Sequence, residues 1–380
     1  MGLLWTRLNT IKMKIPIIAD IHFNNENALR IYDELKSIFL PHVEGSDAVI
    51  IAGDITDCKV QFDSITAKIV MKFLNDIRRL LSEDSPILLL KGTKTHDYNI
   101  VDTFSDTIDG LYCISTKEPV ELGDCNILLL PEEYPKDWRD YYKDVLNIDL
   151  QEDYDKYDLI AFHGMVDWAA HPSCIIESER QIHSSVVFPS EVLMASSKIC
   201  IGGHVHNMDD YKSIHYCKSF SRLSFGEEED KGFIIWKGGK KFERIVNDKA
   251  PTYQTILLED YYDPEKDSID SLAESIDDFL GQDKYSHLRI RVTTENISDK
   301  LHSDILILRE KYSDEPRIKV DMSHSFNKKK KKDEIEEKTD EIIHESVVNN
   351  EPIESTIKKF AKEKFNFDIK EEDVINIISK

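Results

Sequence analysis

The residues best suited to chemistry in this 380-residue chain are carboxylates and imidazoles that follow short apolar runs. Asp20 and His22 stand two apart in "DIH", Asp54 follows Gly53, and His96 and Asp97 close the stretch "KGTKTHD". His163 sits in "FHG", and His204 and His206 stand two apart in "GHVH". Residues two apart in an extended chain point the same way, so each such pair offers two ligands from one strand end. Carboxylate oxygens and imidazole nitrogens with open positions suit Mn²⁺ best, without excluding Mg²⁺, Fe²⁺ or Zn²⁺. A phosphodiester is attacked efficiently when two such cations, roughly 3.5 to 4 Å apart, clamp its oxygens. That arrangement needs a bridging carboxylate and several further ligands on rigid strand ends. Any one of these fragments arises by chance; all of them in order, each after an apolar run, form a pattern.

The elements that must position them are readable too. "IPIIAD", "DAVIIAGD", "PILLLKG", "NILLLP", "DLIAFHG" and "KICIGGH" each hold a short apolar core, as strands buried on both faces do. Between the first two, Ala28, Leu29, Ile31, Leu35, Ile38 and Phe39 recur at near-helical spacing, and "AKIVMKFLNDIRRLLSE" repeats the pattern before the third. The alternation predicts a layered α/β domain. In open α/β sheets ligand sites gather at the C-terminal edge of the strands, where all these polar residues fall.

Composition narrows the partners. A hydrophobic content of 41% describes a soluble globular chain with a large core. No apolar run approaches bilayer length and the start lacks a signal peptide's sections, so the expectation is a cytoplasmic protein with no membrane contact. Six cysteines without CxxC spacing read as reduced core residues. A formal net charge of -23 argues against a chain that grips nucleic acid unaided, since phosphate neutralisation needs clustered Lys and Arg. Either the substrate is not a nucleic acid or another chain supplies the basic track.

Five regions are expected. An extension covers residues 1–13, and the main domain 14–250. A small alternating β/α unit follows over 251–325, then a charged linker over 326–340 that contains the run Lys328 to Lys332. Residues 341–380 have apolar positions at helical spacing and form a tail suited to docking on a partner or on its own chain.

The order DxH, GD, HD, H, GHxH resembles the calcineurin-like metallophosphoesterase superfamily over about residues 14 to 250. The resemblance implies a layered α/β phosphoesterase domain holding two divalent metal ions. Asp20, His22 and His206 would hold the first, Asp54 would bridge, and His163 and His204 would hold the second. His96 would act as the general acid or as a phosphate-orienting residue, with Asp97 holding its ring. The stretch "YCKSFSRLSFGEEEDKGFIIW" narrows the resemblance to SbcD-type nuclease subunits of double-strand-break repair complexes, bacterial and phage-encoded. Tyr216, Ser219, Arg222, Ser224, Phe225, Glu227, Lys231, Gly232 and Phe233 match that pattern, and Lys218 replaces a glycine. This implies a DNA exonuclease and endonuclease subunit, with 251–325 as a capping domain and the tail clasping an SMC-like, SbcC-type ATPase. The assembly implied is a homodimer of this chain within a heterotetramer, in the host cytoplasm for a phage-encoded member. The ATPase would grip the DNA, which accounts for the acidic charge.

One motif departs from the family. Its Gly-Asn-His-Asp slot reads "KGTKTHD", with no asparagine to bind the second metal. Thr95 would take that place, or Thr93 if Lys94 and its neighbour are an insertion. A threonine hydroxyl is a weaker neutral ligand than an amide oxygen, so the expectation is an active enzyme with a looser second metal.

Overall fold

In the computed structural model the described residues are 13–97, 100–134, 155–169, 187–207, 210–282, 284–293, 298–322, 356–359 and 362. The linker 326–340 lies outside them, as does residues 1–12 of the extension. So does the tail 341–380 apart from 356–359 and 362, which are helical, with Ile357 buried. The chain divides into two compact units, Met1–Pro251 and Thr252–Lys380. Among the described residues no helix is long and apolar enough to cross a membrane.

The first unit holds two large sheets. Strands β1 (Ile15–Ile18), β2 (Val49–Ala52), β3 (Ile87–Leu90) and β4 (Leu111–Ile114) run parallel in one, and β12 (Gly232–Trp236) and β13 (Phe242–Val246) extend it antiparallel beside β1. In the other sheet β6 (Cys125–Leu130), β7 (Leu159–His163), β10 (Cys200–Gly203) and β11 (Ile214–Tyr216) run parallel, with β5 (Glu118–Leu122) antiparallel at the edge. A short pair, β8 (Met165–Val166) and β9 (Val187–Phe188), stands apart. The facing sides of the two large sheets share one apolar core, built from Ile17, Ile50 and Leu88 on one side and Ile127, Ala161 and Ile201 on the other.

Helices cover the outer faces. Helix α1 (Ala28–Ile38) and helix α2 (Ile65–Leu80) pack on the first sheet through Ile31, Leu35, Val70, Phe73 and Ile77. Ser64 caps α2 by accepting the Ala67 N–H. Leu29, counted in the apolar stripe of α1 from sequence, is 60% exposed: it falls beside the stripe, not on it. A short helix α3 (Ile100–Ser105) precedes β4, and helix α4 (Ser190–Ser196) packs on the outer face of the second sheet through Leu193. Central strands are buried on both faces, hence their uninterrupted apolar runs.

The second unit is a three-stranded parallel sheet, β14 (Tyr253–Leu257), β15 (His287–Val292) and β16 (Ile318–Met322). The connections contain α5 (Leu258–Tyr261) with α6 (Ile269–Gln282), then α7 (Asp299–Lys311). Ile276, Ile290, Ile305 and Leu308 share its core. The five described cysteines are free, but not all belong to the core: Cys125, Cys200 and Cys217 are buried, Cys113 is half-buried and Cys58 is exposed. Cys174 lies outside the described residues.

Candidate metal centre

Six parallel strands, three from each large sheet, end at one edge of the first unit. Asp20 and His22 follow β1, Asp54 follows β2, Thr93 and His96 follow β3, Glu132 follows β6, His163 closes β7, and His204 and His206 follow β10. Backbone pairing continues past the strand ends: the Asp20 N–H donates to Gly53 O and the His22 N–H to Asp54 O, at 3.1 and 3.0 Å. Four of these residues hold positive φ, Asp20 at 50°, His22 at 51°, Asp54 at 51° and His204 at 98°. Such conformations cost on the order of 1 kcal/mol or more each and persist where surrounding structure enforces them, typically at functional sites. Gly53 has φ +84°, and a Cβ there would meet His163 Nδ1 at 2.1 Å. The glycine is what lets the two sheet edges close around the cluster.

Asp54 is the hub. Its Oδ2 lies 2.8 Å from His96 Nδ1, 3.2 Å from Thr93 Oγ1, 3.4 Å from His163 Nε2 and 3.8 Å from His22 Nε2. To one side, His22 Nε2 and His206 Nε2 stand 3.1 Å apart, each within 3.9 Å of Asp20 Oδ1. To the other, His163 Nε2 and His204 Nδ1 each stand 3.7 Å from Glu132 Oε2. Three overlapping groups, Asp20–His22–His206, His22–Asp54–His96 and Asp54–His163–His204, each have ligand atoms within 4.8 Å of one another. Donors spaced in this way match ligands about 2.1 Å from a shared cation.

The residues fit divalent cations on a further ground. His163 Nε2, His204 Nδ1 and His22 Nδ1 are buried without a hydrogen bond, which is costly for a polar atom. The first two are aimed into the cluster. His22 Nδ1 is near Asp57 Oδ1 at 3.4 Å but off the hydrogen-bond line.

Charge is concentrated here. Burial pushes the Asp54 carboxyl up, but the His163, His96 and His22 rings outweigh it and hold the group well below the carboxylate range. Burial likewise opposes, and Asp54 overrides, a His163 ring pushed well above the usual range. Burial pulls His206 down, yet Asp20 and Glu227 drive it to about 9. His96 is raised chiefly by its hydrogen bond to Asp54, whereas burial and the neighbouring His163 lower His204. Cations at these positions would replace the protons that the rings otherwise share with the carboxylates.

Of the residues singled out from sequence, Asp20, His22, Asp54, His96, His163, His204 and His206 are brought together. Thr95 is not: it is exposed, outside the cluster. Thr93 takes the inward position instead, its N–H donating to Asp54 Oδ1 at 2.6 Å and its hydroxyl to Glu132 Oε2 at 2.9 Å. Asp97 is buried beside the cluster but does not hold the His96 ring. Its carboxylate turns back to accept the Thr56 and Gly92 N–H groups, bracing the loops after β2 and β3. Burial and the Asp54 charge push Asp97 up to about 6.

Two residues emerge that sequence reading passed over. Glu132 was visible as a carboxylate just beyond "NILLLP", the same strand-end position that marked the others. Spacing alone would pair Glu227 with Arg222 across a hairpin. Instead Arg222 donates to the Ala250, Pro251, Glu228 and Glu229 carbonyls, and Glu227 faces His206 Nδ1 at 3.4 Å. Ser219, Ser224 and the Leu223 N–H also donate to Glu227, and the buried Lys231 ammonium lies 3.0 Å from it. The motif after "GHVH" is thus a cradle that aims one imidazole.

No protein-family model matches the chain, and no curated protein matches it in sequence.

Proposed function

We propose that the chain is a dinuclear metal-dependent phosphodiesterase whose first unit has the calcineurin-like metallophosphoesterase layering, helices outside two facing sheets. We further propose that its substrate is DNA and that it works as the SbcD-type nuclease subunit of a complex with an SMC-like ATPase. The observation that carries this reading is Asp54, a buried carboxylate whose single oxygen Oδ2 faces imidazoles from both sides of the cluster.

Asp20, His22 and His206 would hold one cation, His163 and His204 the other, and Asp54 would serve both. Bound there, two divalent cations supply neutralisation of the phosphate oxygens and an activated water. The chain's own residues do the rest. His96, half-buried, presents a ring whose pKa is raised by its hydrogen bond to Asp54, and it orients the phosphate or protonates the leaving oxygen. Glu227 fixes the tautomer and direction of His206. Asp97 keeps the loops after β2 and β3 in register. The DNA assignment rests on the match over residues 216 to 233, and the charge of -23 requires that a partner chain bind the DNA.

The test is cleavage of a linear duplex and of single-stranded DNA with Mn²⁺, by wild type and Asp54→Asn, each with and without the ATPase subunit. The expected result is cleavage by wild type, stimulated by the ATPase, and a loss of about 10³-fold or more in the variant. Hydrolysis of phosphomonoesters without any DNA cleavage would replace the nuclease reading with a phosphatase. Activity retained in Asp54→Asn would overturn the site.

A further inference from the structure

The stretch that lacks asparagine is also the stretch that holds Glu132. The Glu132 N–H donates to Lys91 O at 3.0 Å, and its Oε2 accepts from Thr93 Oγ1 at 2.9 Å. Its Oε1 accepts from the Tyr134 hydroxyl at 3.2 Å, and that hydroxyl in turn accepts the Lys94 N–H at 3.3 Å. Burial and the adjacent Glu132 charge push the Tyr134 hydroxyl up, keeping it a donor. The carboxylate is therefore held through both of its oxygens, with a side chain 2% exposed.

What Oε2 faces is the informative part. The same oxygen meets His163 Nε2 and His204 Nδ1, both at 3.7 Å, too far for hydrogen bonds, and both of those nitrogens are buried and unpartnered. A pre-oriented carboxylate oxygen and two imidazole nitrogens without hydrogen bonds thus converge at spacings that suit ligands of one cation. Thr93, by contrast, spends its hydroxyl proton on carboxylates, as a donor that aims ligands.

Resting on the dinuclear reading above, we propose that Glu132 is a ligand of the second cation, supplying from the end of β6 a carboxylate where the missing asparagine would have supplied an amide. The donor set at that position is then Asp54, Glu132, His163 and His204. Exchanging a neutral amide for a carboxylate adds one negative charge to the set, so the second cation is held tightly. The loosening expected from a threonine in the asparagine's place does not arise.

The experiment is calorimetric titration of Mn²⁺ into the chelator-stripped full-length chain, with electron paramagnetic resonance of the bound ions, for wild type and Glu132→Gln. Glutamine keeps the length and still accepts from Thr93. Wild type should take up two Mn²⁺ per chain with an exchange-coupled spectrum. Glu132→Gln should keep one at unchanged affinity, bind the second about tenfold or more weakly, and show an isolated-ion spectrum at low loading. Two tight, coupled ions in Glu132→Gln would overturn this assignment and leave the dinuclear reading standing. Loss of both ions from the folded variant would overturn the assignment to the second position, and no binding by wild type would sink the dinuclear reading itself. Should Glu132→Gln fail to fold, Tyr134→Phe carries the test, because it removes the hydroxyl that aims Glu132 Oε1 and reaches no other carboxylate of the cluster. A second ion weakened several-fold then supports the proposal, and unchanged affinity overturns it.

Discussion

The two sides of the cluster around Asp54 are built differently. On one side Asp20 and His22 come as a strand-end pair joined by His206, and both imidazoles that face Asp20 have a carboxylate behind them, Asp57 for His22 and Glu227 for His206. On the other side His163, His204, Thr93 and Glu132 come from four separate strand ends. The His163 ring is held by a backbone carbonyl, Ala52 O at 2.7 Å, with no carboxylate behind it. The first side gains its orientation from a second row of charge. The second gains it from the main chain and from the loop after β3. A side that relies on single residues from separate strands tolerates exchange of one of them, since a neighbouring strand end can supply the replacement; a side built on rigid pairs does not.

Variants can break that comparison. Among variants that leave every proposed ligand in place, the largest effect is expected at His96, which touches the shared carboxylate and belongs to neither side. His96→Ala should lower turnover on DNA by about 10²-fold or more while leaving two Mn²⁺ per chain. Unequal loss of the two cations would place His96 on one side instead.

A smaller effect is expected behind the first side. Glu227→Gln frees the His206 ring and leaves Lys231 without its partner carboxylate, and should weaken the first cation by about 10 to 100-fold with the second unaffected. Titration of Mn²⁺ separates the two, and equal weakening would mean that the sides are not independent.

The smallest effect is on stability of the chelator-stripped chain. The His206 ring rises from 6.5 to about 9 in the folded protein, so its contribution is complete below pH 6.5 and disappears as pH rises through 9. The Glu227 carboxyl falls from 4.5 to about 2, so its contribution is complete above pH 4.5 and disappears as pH falls through 2. The melting temperature should peak between about pH 4.5 and 6.5, and saturating Mn²⁺ should move the peak upward as cation replaces proton. A flat profile from pH 6 to 9 without metal would contradict the coupling of His206 to Asp20 and Glu227.

The same asymmetry governs what could be read from the sequence. Apolar runs gave the six strands that end at the site, because strands buried on both faces have no alternation to blur them. The pairs Asp20–His22 and His204–His206 were legible because spacing of two fixes a shared face. Thr95 and Thr93 were not separable, since the turn between β3 and His96 has no period from which to count. Glu132 was missed although its strand was read, because an acid after Pro131 reads as an ordinary loop residue until the sheets are folded together. The resemblance implies that Asp97 holds the His96 ring, whereas its carboxylate turns to the Thr56 and Gly92 N–H groups, contacts set by the packing of two loops. Spacing alone would pair Glu227 with Arg222 across a hairpin; the charge that draws it is His206, 21 residues earlier.

The most direct test of the central claim is an anomalous difference map at the manganese edge from crystals of the full chain soaked in Mn²⁺. The account predicts two peaks about 3.5 to 4 Å apart, one among Asp20, His22 and His206 and the other among His163, His204 and Glu132, with Asp54 between them. A single peak, or two that leave Asp54 uncoordinated, would contradict it.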